Sequence, residues 1–180
     1  QQYSGPVMAK GCEDTALYRY NRLISLNEVG GEPRRFGLSP SAFHQTMRRR
    51  RAAQPHSLLA TATHDAKRGE DVRLRIHALS ELADEWRGHV LRWSRMNQSA
   101  KRELDSGLAP EANDEYFLYQ TLIGAFPFVD AEYPEFIERM KRYIVKAVRE
   151  AKIHTAWLQP DTAYEDAYLS FVEKILIPSE

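Results

Sequence analysis

The sequence lacks several features that would place it in other classes of protein. Its 180 residues contain one cysteine, Cys12, so no disulfide can form within the chain. Lys plus Arg and Asp plus Glu both number 25, so no net charge attracts the chain to nucleic acid or to an anionic membrane. Glycine and proline number nine each, too few for a collagen-like or low-complexity chain.

Long hydrophobic runs are also missing. No apolar stretch approaches the roughly 18 residues needed to cross a bilayer, and the first residues do not resemble a signal peptide. We therefore expect a soluble globular protein in the reducing cytoplasm, with neither nucleic acid nor membrane as a partner. Because residue 1 is Gln rather than Met, we also expect a piece of a longer protein, although a processed terminus or a tag boundary would give the same first residue.

Most of what is present indicates helices. Apolar residues recur at steps of three and four after Pro134, a favourable residue for a first helical turn, and they share one face. The same pattern predicts helices after the cap Asp161, from Asn113–Asp114 to Gly124, and after Ser39–Pro40. The stripe after Pro134 consists of Ile137, Met140, Ile144, Ala147, Val148 and Ala151. The fold class predicted is mainly α, with one or few short strands.

The exception is the short run 57–63, bounded by Pro55 and by the charged block 64–71. Such a run is typical of a buried strand, although periodicity alone does not exclude a helix. A helix carrying Val72, Ile76, Leu79 and Leu82 should follow it. Catalytic residues of α/β barrels lie where strands end and loops begin, so 64–71 is the first place to look for chemistry.

His64 and Asp65 stand at this junction, and three interpretations of the pair remain open. Asp65 could cap the next helix while His64 lies on the surface. Together with His44 and His56, the pair could instead form the metal site of a phosphohydrolase, although the spacing matches no fixed metal signature. In the third interpretation the carboxylate binds sugar hydroxyls.

Several blocks favour the sugar interpretation, because they resemble maltooligosyltrehalose synthases, members of the α-amylase superfamily of glycoside hydrolases and transferases. The segment 60–73 (ATATHDAKRGEDVR) is similar to their seventh-strand segment. Further similar blocks cover most of the chain in the same order: 5–23 (GPVMAKGCEDTALYRYNRL), 26–31 (LNEVGG), 113–116 (NDEY), 119–122 (YQTL), 146–152 (KAVREAK) and 154–157 (HTAW).

The resemblance implies an isomerase of trehalose biosynthesis that needs no cofactor or metal. It converts the reducing-end α-1,4 bond of a maltooligosaccharide to an α,α-1,1 bond by intramolecular glucosyl transfer. Asp65 takes the position of the carboxylate that stabilises the transition state, and His64 binds the same sugar. Lys10 and Glu13 match positions on the acceptor side of the cleft, where a donor and an acceptor together suit a polyol.

The resemblance also implies that essential parts lie elsewhere. The nucleophile and the acid/base of this family precede the matching region, and no segment here resembles their motifs. We interpret 1–180 as one unit of a larger (β/α)8-barrel enzyme: a helical insertion region (1–56), a barrel strand with its catalytic loop and helix (57–82), and a helical region (83–180). We expect the remainder of that enzyme as its partner, no activity from the chain alone, and self-association through cut surfaces. The alternative is a non-catalytic helical module that binds a protein or a saccharide.

Overall fold

The computed structural model describes residues 2–177. Within that range the fold is mainly helical with one two-stranded sheet, as the sequence predicts. The α-helices and strands, in chain order, are α1 (Ser4–Pro6), α2 (Leu17–Arg19), α3 (Pro40–Ala53), α4 (Glu70–Ala78), α5 (Ala83–Met96), β1 (Arg102–Leu104), β2 (Gly107–Ala109), α6 (Ala112–Ala125), α7 (Tyr133–Ala151) and α8 (Thr162–Leu176).

A π-helix, Val7–Ala16, lies between α1 and α2, so that residues 4–19 form one continuous helical segment. Three 3₁₀ turns lie between the longer helices among residues 2–177: Ile24–Leu26, Gln98–Ala100 and Asp130–Glu132. π-Helices are rare, and single-turn π-bulges within α-helices occur frequently at functional sites. This one carries two of the predicted site residues, Lys10 and Glu13.

Helix α7 confirms the prediction made from its spacing. Every member of the stripe from Ile137 to Ala151 is buried, and Pro134 lies in its first turn. Burial of such a stripe removes apolar surface from water, which is the main source of stability for a helix of this kind. Charged residues occupy its other face, and no helix in the described part of the chain is long and apolar enough to cross a membrane.

Helix α8 packs along α7 and completes the larger of two apolar clusters. Asp161 caps α8 as predicted, since its Oδ1 accepts the backbone N–H of Tyr164 at 3.0 Å. Phe136, Tyr168 and Phe171 are fully or almost fully buried in this cluster. These aromatic and aliphatic side chains join the C-terminal helices into one layer.

The second cluster joins the N-terminal half to that layer. It contains Ile24 from the first 3₁₀ turn, Ile76 from α4, Trp86 from α5 and Phe117 from α6. Helix α6 is therefore shared by both clusters and is buried on most sides, with a buried glutamine, Gln120, bonded to the N-terminal segment.

Two details of the helices differ from the sequence-based prediction. Helix α4 ends at Ala78, so Leu82 precedes α5 rather than lying within α4. Gly124 does not end α6; it lies inside the helix, where a Cβ would meet side-chain atoms of Val72 and Ile76 of α4 at 2.8 Å. Its role is close helix packing.

Residues 57–63, for which the sequence predicts a strand, form no strand in this structure. Leu58 is 100% exposed and Leu59 is 68% exposed. A strand needs neighbours that satisfy its backbone N–H and C=O groups, and the described residues offer no strand beside this segment. The sheet that does form is a hairpin in which Leu104 pairs with Gly107 across a tight turn.

Candidate active site

The turn that carries His64 and Asp65 lies between the coil 57–63 and helix α4, and it faces solvent. The turn brings the two neighbouring side chains together, with His64 Nε2 3.2 Å from Asp65 Oδ2. The side chains are 89% and 68% exposed, so a carboxylate and an imidazole are both open to a polar ligand.

Asp14 connects the π-helix to the chain that follows Asp65. Its Oδ2 lies 2.6 Å from Lys10 Nζ, and its Oδ1 lies 2.6 Å from Lys67 Nζ. Hydrogen bonds from Lys10 and then Lys67 lower the pKa of the Asp14 carboxyl, so the ionised form is favoured. Lys10 itself stays exposed at the surface beside this bridge.

Glu13, the other acidic residue of the π-helix, contacts a different part of the chain. Its Oε1 accepts the backbone N–H of Gly30 at 3.3 Å. The structure thus brings Lys10 into contact with the Asp65 region through Asp14 and Lys67, while Glu13 contacts the segment 26–31.

Glu28, in that same segment, contacts the backbone two and three residues after Asp65. Its Oε1 accepts the N–H of Lys67 at 2.5 Å and its Oε2 accepts the N–H of Arg68 at 3.3 Å. Arg68 is buried, and its Nη1 donates to the carbonyls of Ile24 at 3.0 Å and Asn27 at 3.4 Å. Backbone and side-chain contacts therefore fix residues 67 and 68 while Asp65 remains free to meet a ligand.

Metal-ligand side chains converge elsewhere in the described part of the chain. Ligand atoms of Glu111, Asp114 and His154 lie within 4.8 Å of one another. Tyr164 donates its hydroxyl to Asp114 Oδ2 at 2.5 Å and stacks on the His154 ring, whose Nε2 lies 3.1 Å from Glu111 Oε2. Burial raises the pKa of Asp114. These contacts account for the cluster as packing between α6, α8 and the chain after α7.

The set His44, His56 and His64–Asp65, considered above as a metal site, is not among the groups of ligand atoms that converge within residues 2–177. His44 lies on exposed helix α3 and His56 in the coil after it. The geometry gives the phosphohydrolase interpretation no support.

A carboxylate and an imidazole stand side by side at the exposed Asp65 turn, so this surface offers both hydrogen-bond acceptors and donors. The exposed ammonium group of Lys10 is connected to this turn only through Asp14 and Lys67. Hydroxyl groups both donate and accept hydrogen bonds, so a polyol can satisfy groups of this kind.

Maltooligosyl trehalose synthases of Mycobacterium tuberculosis, strains CDC 1551 and H37Rv, are 40% identical to the chain over 176 residues, which is 98% of its length. The chain is a relative of the maltooligosyl trehalose synthases. It spans only 22% of the length of these two proteins. No protein-family model matches the chain.

Solved structures of maltooligosyl trehalose synthases have the same fold over the matched segment. The Sulfolobus tokodaii protein superimposes with a TM-score of 0.85 at 40% identity, covering 99% of this chain and 23% of its own. The Arthrobacter ramosus enzyme gives 0.82 at 36% identity, covering 99% and 21%. The resemblance identified from the sequence blocks is therefore confirmed.

Asp14, Lys67 and Glu28 were not singled out by sequence reasoning, although all three lie in blocks similar to maltooligosyl trehalose synthases. The Lys67–Asp14 bond joins residues 53 positions apart, and the Glu28 bonds span 39 and 40 positions. No local spacing encodes such contacts. The only available signal was their place inside matching blocks that also hold predicted site residues.

Proposed function

We propose that the chain is part of an enzyme that converts the reducing-end α-1,4 bond of a maltooligosaccharide into an α,α-1,1 bond. The observation that carries the proposal is the exposed His64–Asp65 pair, placed by a fixed backbone, in a chain that is 40% identical to maltooligosyl trehalose synthases. The substrate is a maltooligosaccharide, and the transfer occurs within one substrate molecule.

Asp65 stabilises positive charge and binds sugar hydroxyls as the glycosidic bond breaks. An oxocarbenium-like transition state carries more positive charge than the bound sugar, so a nearby carboxylate stabilises it preferentially. His64, beside it at 3.2 Å, binds the same sugar ring.

Lys10 and Glu13 bind the released glucose and orient its anomeric hydroxyl for the second step. Lys10 donates hydrogen bonds and Glu13 accepts them, which suits the hydroxyl groups of a sugar. The exposure of Lys10 leaves its ammonium group accessible for this task.

The nucleophile and the acid/base are supplied by the remainder of the longer protein. Retaining enzymes of this superfamily use two carboxylates, one to form the covalent glycosyl-enzyme and one to donate and then remove a proton. The chain's coverage of about a fifth of its relatives supports this division. The exposed run 57–63 is then the segment that meets other strands of a barrel.

Asp65→Asn in the longer protein tests the role of this carboxylate. The substitution keeps the shape and removes the charge, so we expect kcat for maltooligosyltrehalose formation to fall by about 10²- to 10³-fold, the usual effect of losing one transition-state contact. Asp71→Asn, at an exposed position in the first turn of α4, is the matched control and should change kcat less than about twofold. Equal activities of the Asp65→Asn variant and the unmodified protein would refute the assignment.

A further inference from the structure

The loop that presents Asp65 is fixed at both of its ends, and we call residues 61–69 the Asp65 loop. At its beginning, Thr61 donates its hydroxyl to Glu70 Oε2 at 2.6 Å, and its carbonyl oxygen accepts a hydrogen bond from Arg73. Both partners belong to helix α4, so the first residue of the loop is connected to the helix that follows it.

At the other end of the loop, one side chain accepts both backbone amides, while the side chains of Lys67 and Arg68 make their own bonds to Asp14 and to the carbonyls of Ile24 and Asn27. Glu28 accepts two successive amide N–H groups, those of Lys67 and Arg68, with one oxygen each. Its side chain is only 17% exposed, which strengthens hydrogen bonds to a carboxylate by excluding water. These two bonds attach the backbone amides two and three residues after Asp65 to the 26–31 segment.

The side chain of Arg68 attaches this end of the loop to the core. Its guanidinium group lies 5.6 Å from the centre of the Phe117 ring and donates to the carbonyl of Ile24. Because Arg68 is held in the core and Glu28 accepts its amide, the path of the chain three residues after Asp65 is determined. The side chain of Asp65 itself is exposed, so its direction depends on this path.

We propose that Glu28 is a positioning residue for the glucosyl transfer, which places the carboxylate of Asp65 through the amides of Lys67 and Arg68. The inference rests on the function proposed above for Asp65. Glu28 is assigned no contact with the sugar, because its Oε1 accepts the N–H groups of both Lys67 and Val29, and its Oε2 accepts that of Arg68 and lies 3.8 Å from Arg73 Nη1. Its contribution is geometric: displacement of a reacting group by about 1 Å can cost about 10²-fold in rate.

The effect should appear in kcat rather than in KM, since the contacts of Asp65 strengthen mainly in the transition state. In the longer protein, Glu28→Ala frees both amides and should lower kcat by about 10- to 100-fold with KM within about threefold. Glu28→Gln keeps an acceptor for the Lys67 amide but places an N–H₂ group against the Arg68 amide, so its kcat should be intermediate.

Glu32→Ala is the matched control. Glu32 lies four residues further along the same region, is 44% exposed and pairs with Arg34 at 3.0 Å. It has no bond to the Asp65 loop among the described contacts, so its removal should leave kcat and KM unchanged.

A double-mutant cycle with Asp65→Asn distinguishes positioning from a general loss of structure. If Glu28 acts through Asp65, then Glu28→Ala should lower kcat in the unmodified protein but cause less than a twofold further loss in the Asp65→Asn background. Full additivity, an effect confined to KM, or no effect of Glu28→Ala would overturn the proposal. If Glu28→Ala does not fold, as judged by circular dichroism, the same cycle with Glu28→Gln decides the question.

The cycle also separates failure of this inference from failure of the proposed function. If Asp65→Asn has normal kcat, the role given to Asp65 is wrong, and the positioning role is overturned with it. If Asp65→Asn lowers kcat while both Glu28 variants retain it, Asp65 keeps its role and the positioning role of Glu28 alone is refuted.

Discussion

Glu165 shows how a single residue stabilises the C-terminal layer. Its carboxylate accepts two hydrogen bonds from Arg149, at 2.8 and 2.6 Å, and one from the hydroxyl of Thr155 at 2.6 Å. The side chain is 7% exposed, and the hydrogen bond from Arg149 is the main cause that lowers the pKa of Glu165 below its ordinary value of 4.5. The ionised form is therefore favoured by folding.

Glu165→Gln should lower the free energy of unfolding at pH 7 by about 1.5–3 kcal/mol, the range for hydrogen bonds to charged groups. Because the pKa is lower in the folded state, the stabilisation is complete above 4.5 and is lost as the pH falls through the folded value. Urea unfolding at pH 7 and pH 3 should show a difference from the unmodified protein that shrinks in acid.

Glu173→Gln on the same helix is the control for this prediction. Glu173 pairs with Lys141 at 2.6 Å but is 45% exposed, so its substitution should cost less than about 1 kcal/mol. Equal losses for the two variants, or a Glu165→Gln loss unchanged at pH 3, would contradict the account.

The residues around Asp65 also mark the limit of inference from sequence. His64 and Asp65 could be proposed because they are adjacent and lie in a block that resembles maltooligosyltrehalose synthases. The role of Asp14 could not be, because only its spacing to Lys10 is local, whereas Lys67 lies 53 positions away and meets Asp14 only in the folded chain.

Among the elements, the close contact between α4 and α6 depends on a glycine. A Cβ added at Gly124 would lie 2.8 Å from Ile76 Cδ1 and 2.8 Å from Val72 Cγ1, whereas one at Gly88 of α5 would meet nothing within 4 Å. Ile76 is completely buried, so it has little room to move.

We therefore expect opposite effects of the same substitution at the two glycines. Gly88→Ala should raise the free energy of unfolding by about 0.5–1 kcal/mol, because alanine favours the helix. Gly124→Ala should lower it by about 1–3 kcal/mol through overpacking. Urea denaturation measures both, and stabilisation by Gly124→Ala would show that α4 does not pack on α6 as described.

The elements differ in how far the sequence predicts them. The stripe of α7 repeats over about four turns, so its buried face could be predicted residue by residue. The strands of the hairpin have three residues each, too few for a period to appear, and the turn residues Asp105 to Gly107 were the only local signal. The run 57–63 has the composition of a strand, but a strand also needs partners along its edges.

For the whole molecule, the exposed apolar side chains agree with our proposal that the chain is one part of a longer enzyme. Leu58, Leu59 and Phe36 are among the large apolar side chains on the surface, and α3 has no buried residue. Surfaces of this kind are typical of contacts with other parts of a protein. Self-association of the separate chain stays a prediction, as does the division of the chain at 56 and 82.

The most direct test of the account compares the chain with the longer protein on the same substrate. Both are incubated with maltopentaose at neutral pH, and loss of reducing ends and release of free glucose are measured. The account predicts a non-reducing product from the longer protein and neither product from the folded chain. A non-reducing product from the chain alone would contradict it, because a nucleophile would then be present within these residues; no such product from the longer protein would refute the proposed function.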